Sequence, residues 1–202
     1  MTLDYSSIKA VVFDLDNTLV SSSLNFTSIR HDIGCPQDHD LLEFADNLSC
    51  DKQKSSVHQT IVAHEMSDAQ NAEVMEGCHE LLTHLAQHNL YTGIVTRNCI
   101  EAATLKIHRL KLSVNELICR EHFPPKPAPD SLLALADLWS LNPSHILYVG
   151  DYIYDIQAAN NANMPSCLIT HHQPTDYQHL ATVCVPQLTD LHRLFASHHL
   201  SA

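Results

Sequence analysis

The stretch Lys9-Ala10-Val11-Val12-Phe13-Asp14-Leu15-Asp16-Asn17-Thr18-Leu19 is a short apolar run that breaks into two acidic residues two positions apart. Its apolar residues are continuous rather than alternating. That is the pattern of a strand buried on both faces, as in a parallel sheet. Two carboxylates spaced by two at a strand end project to the same side. The run at 9–15 therefore predicts a buried strand that delivers Asp14 and Asp16 to one edge of a sheet.

Similar runs recur at 90–96, 116–119, 145–149, 166–170 and 181–185, the last stopped by Pro186. Helical patterns separate them. Leu81, Leu82 and Leu85 share a face over 79–87, and Ala103, Ile107 and Leu110 form a stripe on the next helix. Pro129 suits the first turn of a helix carrying Leu132, Leu133, Leu135, Ala136 and Trp139. Leu188, Leu191 and Phe195 mark a last helix. Strands alternating with helices predict an α/β fold, a parallel sheet sandwiched by helices. Residues 21–76 are the exception, with almost no strand signal and polar helical stretches at 40–48 and 56–66. They read as a small all-helical insertion, which leaves 1–20 and 77–202 as the α/β core.

The chain has 202 residues, 45 % of them hydrophobic, enough for a core without staples. A formal charge of −12 argues against nucleic acid or an anionic membrane as the main partner. Sixteen scattered histidines, among them the pairs His171-His172 and His198-His199, are expected to face solvent. Seven cysteines without two-residue spacings are expected as reduced core residues of a cytoplasmic protein. The first apolar run ends at a charge, unlike a signal peptide, and no run reaches the ~20 apolar residues of a membrane span. The four glycines, Gly34, Gly77, Gly93 and Gly150, are isolated, so neither a dinucleotide fingerprint nor a P-loop can be written. A phosphate here must be held by charges, a metal and single loop amides.

Catalytic groups of open parallel sheets gather at the carboxyl ends of strands. Those ends carry Asp14 and Asp16, then Thr96-Arg97-Asn98, then Gly150-Asp151 with Asp155 one turn later, and Lys126 lies among prolines before a helix. Singly, each has an ordinary explanation as a turn former, helix cap or solvated charge. Together they differ. Converging carboxylates repel unless a hard cation sits among them, and Mg²⁺, bound through oxygens, suits that demand. A hydroxyl and an ammonium opposite it complete a cage for a phosphoryl group.

In this order the residues resemble the haloacid dehalogenase-like hydrolase superfamily. Its D-x-D-x-T-L motif corresponds to Asp14-Leu15-Asp16-Asn17-Thr18-Leu19, its second motif to Thr96, its K-P-x-P-D phrase to Lys126-Pro127-Ala128-Pro129-Asp130, and its fourth motif to Gly150 through Asp155. The resemblance covers about residues 9–169. It implies a Rossmann-like core, and a helical cap at 21–76 as in phosphoglycolate-phosphatase-like members. Asn17 and Asn163 stand where glycine is usual, and asparagine is the next best residue for a left-handed conformation.

The resemblance further implies a phosphatase acting on a small phosphorylated metabolite through an aspartyl-phosphate. Asp14 would be the nucleophile, Asp16 the acid and base, and Thr96 and Lys126 the holders of the transferred group. Mg²⁺ would be bound by Asp14, Asp151 and the main-chain carbonyl of Asp16, with Asp155 binding through a water or orienting Lys126. Asn17, Arg97 and Asn98 would line the phosphate site. Arg30, on the first inserted helix, is a candidate for a substrate carboxylate. Dehalogenation is disfavoured by Asp16 and Asp151. Phosphonate hydrolysis would call on a cap lysine such as Lys52 or Lys54. A sugar phosphomutase would keep the same core, a receiver domain would place its acidic residues on different strands, and a binding protein would be expected to have lost part of this set. The chain is expected to act as a monomer or homodimer.

Overall fold

The computed structural model describes residues 3–199. Its strands are β1 (Ala10–Phe13), β2 (Tyr91–Val95), β3 (Glu116–Ile118), β4 (Ile146–Gly150), β5 (Ser166–Ile169) and β6 (Val183–Val185). Each lies within its expected run or one residue beyond it. All pair in parallel, in the order β3-β2-β1-β4-β5-β6, giving a Rossmann-like α/β sheet. The chain builds outward from β1 to one edge, then returns beside β1 with β4 and builds to the other. The reversal puts a crevice between β1 and β4, where α/β sheets bind ligands. Register aligns Phe13 with both Ile94 and Val149, so the ends of the three central strands stand level.

Because β1 is buried on both faces, its alternate residues feed two cores. Val11 and Phe13 pack with Ile94, Leu147 and Val149 against α4 (Cys78–Gln87), α5 (Ile100–Leu110) and α8 (Leu188–His199). Ala10 and Val12 pack with Val95, Ile146 and Tyr148 against α6 (Asp130–Trp139) and α7 (Ile153–Asn161). Val11, Val12 and Phe13 are fully buried, each side chain contributing about 1.5–3 kcal/mol of burial. Pro129 occupies the N-cap of α6, one residue earlier than the first-turn position expected.

Three helices fill the insertion between β1 and β2: α1 (Phe26–Ile33), α2 (Leu41–Asp46) and α3 (Asp51–Asn71). Asn25 caps α1 through its side chain and Gly34 ends it in the left-handed region. Ile29, Cys35, Leu41, Leu42, Ala45 and Ile61 form a separate small core there. The helix α3 runs well past the expected 56–66, because its buried stripe is Ile61, Glu65, Asp68 and Ala69. Two of those four are charged, so apolar periodicity under-reads the helix. Their partners lie on the α/β core: Arg120 pairs with Glu65, and Lys106 with Asp68. Arg109 donates to the carbonyls of Ala69 and Ala72.

The two crossings between insertion and core run side by side. Ser21 N donates to Glu73 O at 2.8 Å and Met75 N to Leu19 O at 2.9 Å. Asn17 and Asn163 both have positive φ, 57° and 56°, as their replacement of glycine requires. All seven cysteines are free thiols; five are buried, whereas Cys50 and Cys184 are exposed rather than core residues. No helix among the described residues is long and apolar enough to cross a membrane.

Gly77, where the insertion returns to the core, has φ +82°, and a Cβ there would come within 2.7 Å of the Thr189 backbone nitrogen on α8. Gly34 has φ +70° with nothing within 4 Å of the same position. Gly77→Ala is therefore expected to cost about 2 kcal/mol or more, by strain plus overpacking. Gly34→Ala should cost about 1 kcal/mol from the backbone alone. Denaturant unfolding of both variants checks this, and equal losses would contradict it.

Candidate active site

At the carboxyl end of β1 the Asp14 backbone N–H donates to Val149 O at 2.8 Å, which fixes the residue against β4. Its carboxylate Oδ1 accepts from Lys126 Nζ at 2.5 Å. The ammonium of Lys126 arrives from the loop before α6. It also lies 2.6 Å from Asp155 Oδ1, 2.9 Å from the Tyr148 hydroxyl and 3.1 Å from Val95 O. A buried ammonium requires such a shell, and each of its three N–H groups finds an acceptor. Burial opposes the charge on Lys126, but the Asp14 and Asp155 carboxylates outweigh it and hold its pKa above the ordinary lysine value.

Asp155, in the first turn of α7, has both oxygens engaged. Oδ1 accepts from Lys126 and, at 3.1 Å, from Tyr148; Oδ2 accepts from Tyr152 N at 3.0 Å. In this geometry Asp155 orients Lys126. The helix can start so close to β4 only because Gly150 lacks a Cβ, which would lie 2.4 Å from Asp155 Cγ. Asp151 follows, its Oδ1 accepting from Thr18 Oγ1 at 3.3 Å.

One oxygen each of Asp14, Asp151 and Asp155 lies within 4.8 Å of the other two. Burial is the main cause that pushes Asp14 well above the carboxylate range; the Lys126 ammonium opposes it, and Asp155 and Asp151 add repulsion. Burial and the neighbouring Asp155 push Asp151 up to about 7. One ammonium against three crowded carboxylates leaves the cluster short of positive charge. An all-oxygen set with this deficit fits a hard divalent cation.

Asp16 lies beside this cluster, with its side chain partly exposed. Asn98 Nδ2 donates to its Oδ2 at 2.6 Å, and Lys106 of α5 donates to its Oδ1. Thr96 is buried at the end of β2, its Oγ1 accepting from Asn98 N at 3.1 Å and Asn98 Nδ2 at 3.2 Å. Asn17 is at the surface end of the loop and accepts from Ser22 N at 3.1 Å.

These residues floor a cavity of about 540 Å³ whose roof comes from the inserted helices, with Leu24, Phe26, Ile29, Leu41 and Ile61 among its walls. Arg97 lines it but is paired with Asp40 at 2.5 Å and lies over the Tyr154 ring. Arg30 also lines it. Its guanidinium donates to Pro36 O at 2.7 Å and His39 O at 2.5 Å, closing the loop between α1 and α2.

Three contributors were not anticipated. Tyr148 reads as an ordinary strand residue, and nothing in the sequence signals its hydroxyl. Thr18 reads only as part of the motif. Lys106 carried a usable signal: it lies three residues after Ala103, on the helix face buried with Ala102, so a charge there needs a partner.

The family profile described as haloacid dehalogenase-like hydrolase matches residues 23–169, which include Thr96, Lys126 and Asp151 and begin just after Asp14 and Asp16. An uncharacterized hydrolase of Saccharomyces cerevisiae is 28 % identical over 194 residues, covering 91 % of this chain and 89 % of the yeast protein. An N-acetylmuramic acid 6-phosphate phosphatase of Pseudomonas putida is 25 % identical, over 81 % of this chain and 83 % of its own. Among solved structures, a hydrolase from Pseudomonas syringae aligns with a TM-score of 0.77 at 22 % identity, covering 94 % of this chain and 98 % of that one. A predicted phosphoglycolate phosphatase from Haemophilus somnus aligns with a TM-score of 0.74 at 20 % identity, over 93 % and 98 %. The acidic crevice between β1 and β4, the lysine that bridges it and the family match agree: this chain belongs to the haloacid dehalogenase-like hydrolases.

Proposed function

We propose that the chain is a Mg²⁺-dependent phosphatase that hydrolyses a small phosphorylated metabolite through an aspartyl-phosphate on Asp14. The observation that carries this reading is the buried Asp14 carboxylate, gripped by Lys126 and clustered with Asp151 and Asp155 at the sheet's reversal point. The phosphatases among its relatives support the reaction class.

In the first step Asp14 forms a bond to phosphorus in line with the departing alcohol, while Asp16 gives that oxygen a proton. In the second, Asp16 takes a proton from the water that attacks phosphorus and frees Asp14, releasing inorganic phosphate. Two easier displacements replace one hard one. Lys126 and Thr96 hold the transferred oxygens, with the backbone N–H groups near Asn17 and Arg97. Asp14, Asp151 and the Asp16 carbonyl would hold Mg²⁺, which when bound offsets the charge on the phosphoryl oxygens. Asp155 keeps Lys126 aimed at Asp14. The inserted helices act as a cap that keeps bulk water from the intermediate.

The roof argues about the alcohol. Of the two arginines lining the cavity, Arg97 is charge-paired with Asp40, and Arg30 spends its Nη1 on two backbone carbonyls. Gln37, Asp38 and Asp40 stand near them with acceptors for hydroxyl groups, between apolar walls. The carbons beside the scissile ester are therefore read as bearing hydroxyls, as in a sugar or polyol phosphate, rather than a carboxylate.

Asp14→Asn is expected to lower kcat by about 10⁴-fold or more, and chelation of Mg²⁺ to abolish turnover reversibly. Steady-state hydrolysis of an aryl phosphate checks both, and activity surviving either change would sink the mechanism. Across a substrate panel, kcat/KM should favour polyol phosphates over phosphoglycolate by about tenfold or more, since Asp38 and Asp40 in the roof repel a carboxylate. A preference for phosphoglycolate would reverse the reading of the roof.

The raised carboxyls also set a pH dependence. A carboxyl whose pKa is higher in the folded chain holds its proton more tightly there. Without divalent cation, stability is thus lost as pH rises from about 4 toward about 7, as Asp151 ionises. Mg²⁺ requires the ionised form, so its gain in thermal midpoint should be larger at pH about 8 than at pH about 5. Calorimetry with and without Mg²⁺ measures this. An equal gain at both pH values, or none, would contradict a site built on these carboxylates.

A further inference from the structure

Lys106 is fully buried on α5, yet it touches neither the cavity nor the Asp14 cluster. An ammonium taken from water needs charged partners. One is Asp68 of α3, whose Oδ2 accepts at 2.7 Å, and that ion pair alone would suffice to fasten α3 to the core. Lys106 also donates to Asp16 Oδ1. With Asn98 at 2.6 Å from Oδ2, both oxygens of Asp16 are tied from separate elements, which leaves the carboxylate one orientation. Each carboxylate oxygen accepts two hydrogen bonds, so a lone pair remains on each for proton transfer toward the cavity that Asp16 lines.

The second partner extends the connection. Besides Lys106, Asp68 accepts from Ser22 Oγ at 3.0 Å and from Ser23 N at 2.6 Å and Ser23 Oγ at 3.1 Å. Ser22 and Ser23 lie where the chain leaves the core for α1. Lys106 is thus the single side chain joining Asp16 to the anchor of that crossing among the contacts described.

We infer that Lys106 is a positioning residue that holds the Asp16 carboxylate in the orientation needed to protonate the leaving alcohol. This rests on the proposed role of Asp16 as acid and base. A residue acting through a general acid has a kinetic signature that a purely structural one lacks. Protonation matters greatly for an alkyl alcohol and little for a leaving group as good as 4-nitrophenol.

The test compares Lys106→Met and Asp68→Asn with the wild type on an alkyl phosphate and on 4-nitrophenyl phosphate, with Mg²⁺ present. Lys106→Met should lower kcat/KM on the alkyl ester, which reports the first displacement alone, by about tenfold to a hundredfold, part of what a general acid supplies. Its kcat/KM on the aryl ester should fall by less than about threefold, whereas kcat on either ester can also fall through the water attack in which Asp16 is the base. Asp68→Asn weakens the same α3–α5 junction but leaves the amine for Asp16, so it should lower thermal stability while keeping the alkyl-to-aryl ratio. Equal losses of kcat/KM on both esters in Lys106→Met, or the ratio change reproduced by Asp68→Asn, would overturn the inference. Lys106→Gln, uncharged but still an N–H donor, gives the same comparison with less disturbance if the methionine variant does not fold. The wild type's hydrolysis of both esters, lost in Asp14→Asn, is the separate result on which the proposed function stands or falls.

Discussion

A single ammonium, that of Lys126, makes the centre of this molecule possible. Asp14 ends β1, Asp155 opens α7, and Tyr148 and the Val95 carbonyl come from the strands on either side of β1. Without a cation between them, two buried carboxylates at hydrogen-bonding distance from one nitrogen would repel each other across a medium that screens poorly. The lysine joins both halves of the sheet at the point where strand order reverses. It compensates only part of the acidic charge gathered there, and that deficit is the basis for proposing a divalent cation in the crevice.

A second lysine repeats the device one layer out. Lys106 sits between Asp16 and Asp68, as Lys126 sits between Asp14 and Asp155. The inner pair concerns the phosphoryl group, and the outer one the carboxylate read as moving protons. Glu65 with Arg120, and Ala69 and Ala72 with Arg109, add to the outer layer. The C-terminal half of α3 is therefore fastened to α5 by charge, whereas α1 and α2 rest on α3 through a small apolar core that includes Ile61. Chiefly the Arg97–Asp40 pair ties that outer part to the loop after β2.

The strands were legible because burial on both faces leaves continuous apolar runs, of which 9–15 and 145–149 are the plainest. The meeting of Asp14, Asp151 and Asp155 was legible because parallel strands deliver their carboxyl ends to one edge, whereas Lys126, from the loop before α6, was placed there by the resemblance. What escaped the sequence depends on pairing across long separations. Lys106 and Asp68 are 38 residues apart, and Lys126 and Tyr148 are 22 apart, on elements whose facing surfaces no single-helix periodicity reveals. The length of α3 escaped for the same reason, since its buried stripe is half acidic. Arg30 illustrates the converse. Its place on α1 was readable, but its engagement with the carbonyls of Pro36 and His39 depends on a loop closure visible only in the fold.

The central claim is that phosphorus passes through Asp14, and a covalent intermediate tests it most directly. Protein turning over a phosphate ester with Mg²⁺ would be quenched in acid, digested and examined by mass spectrometry. The account predicts a phosphoryl group on the peptide carrying Asp14, lost on mild alkaline treatment as an acyl phosphate should be. A phosphoryl group on another residue, or steady turnover with none on Asp14 under conditions that trap such intermediates, would contradict it.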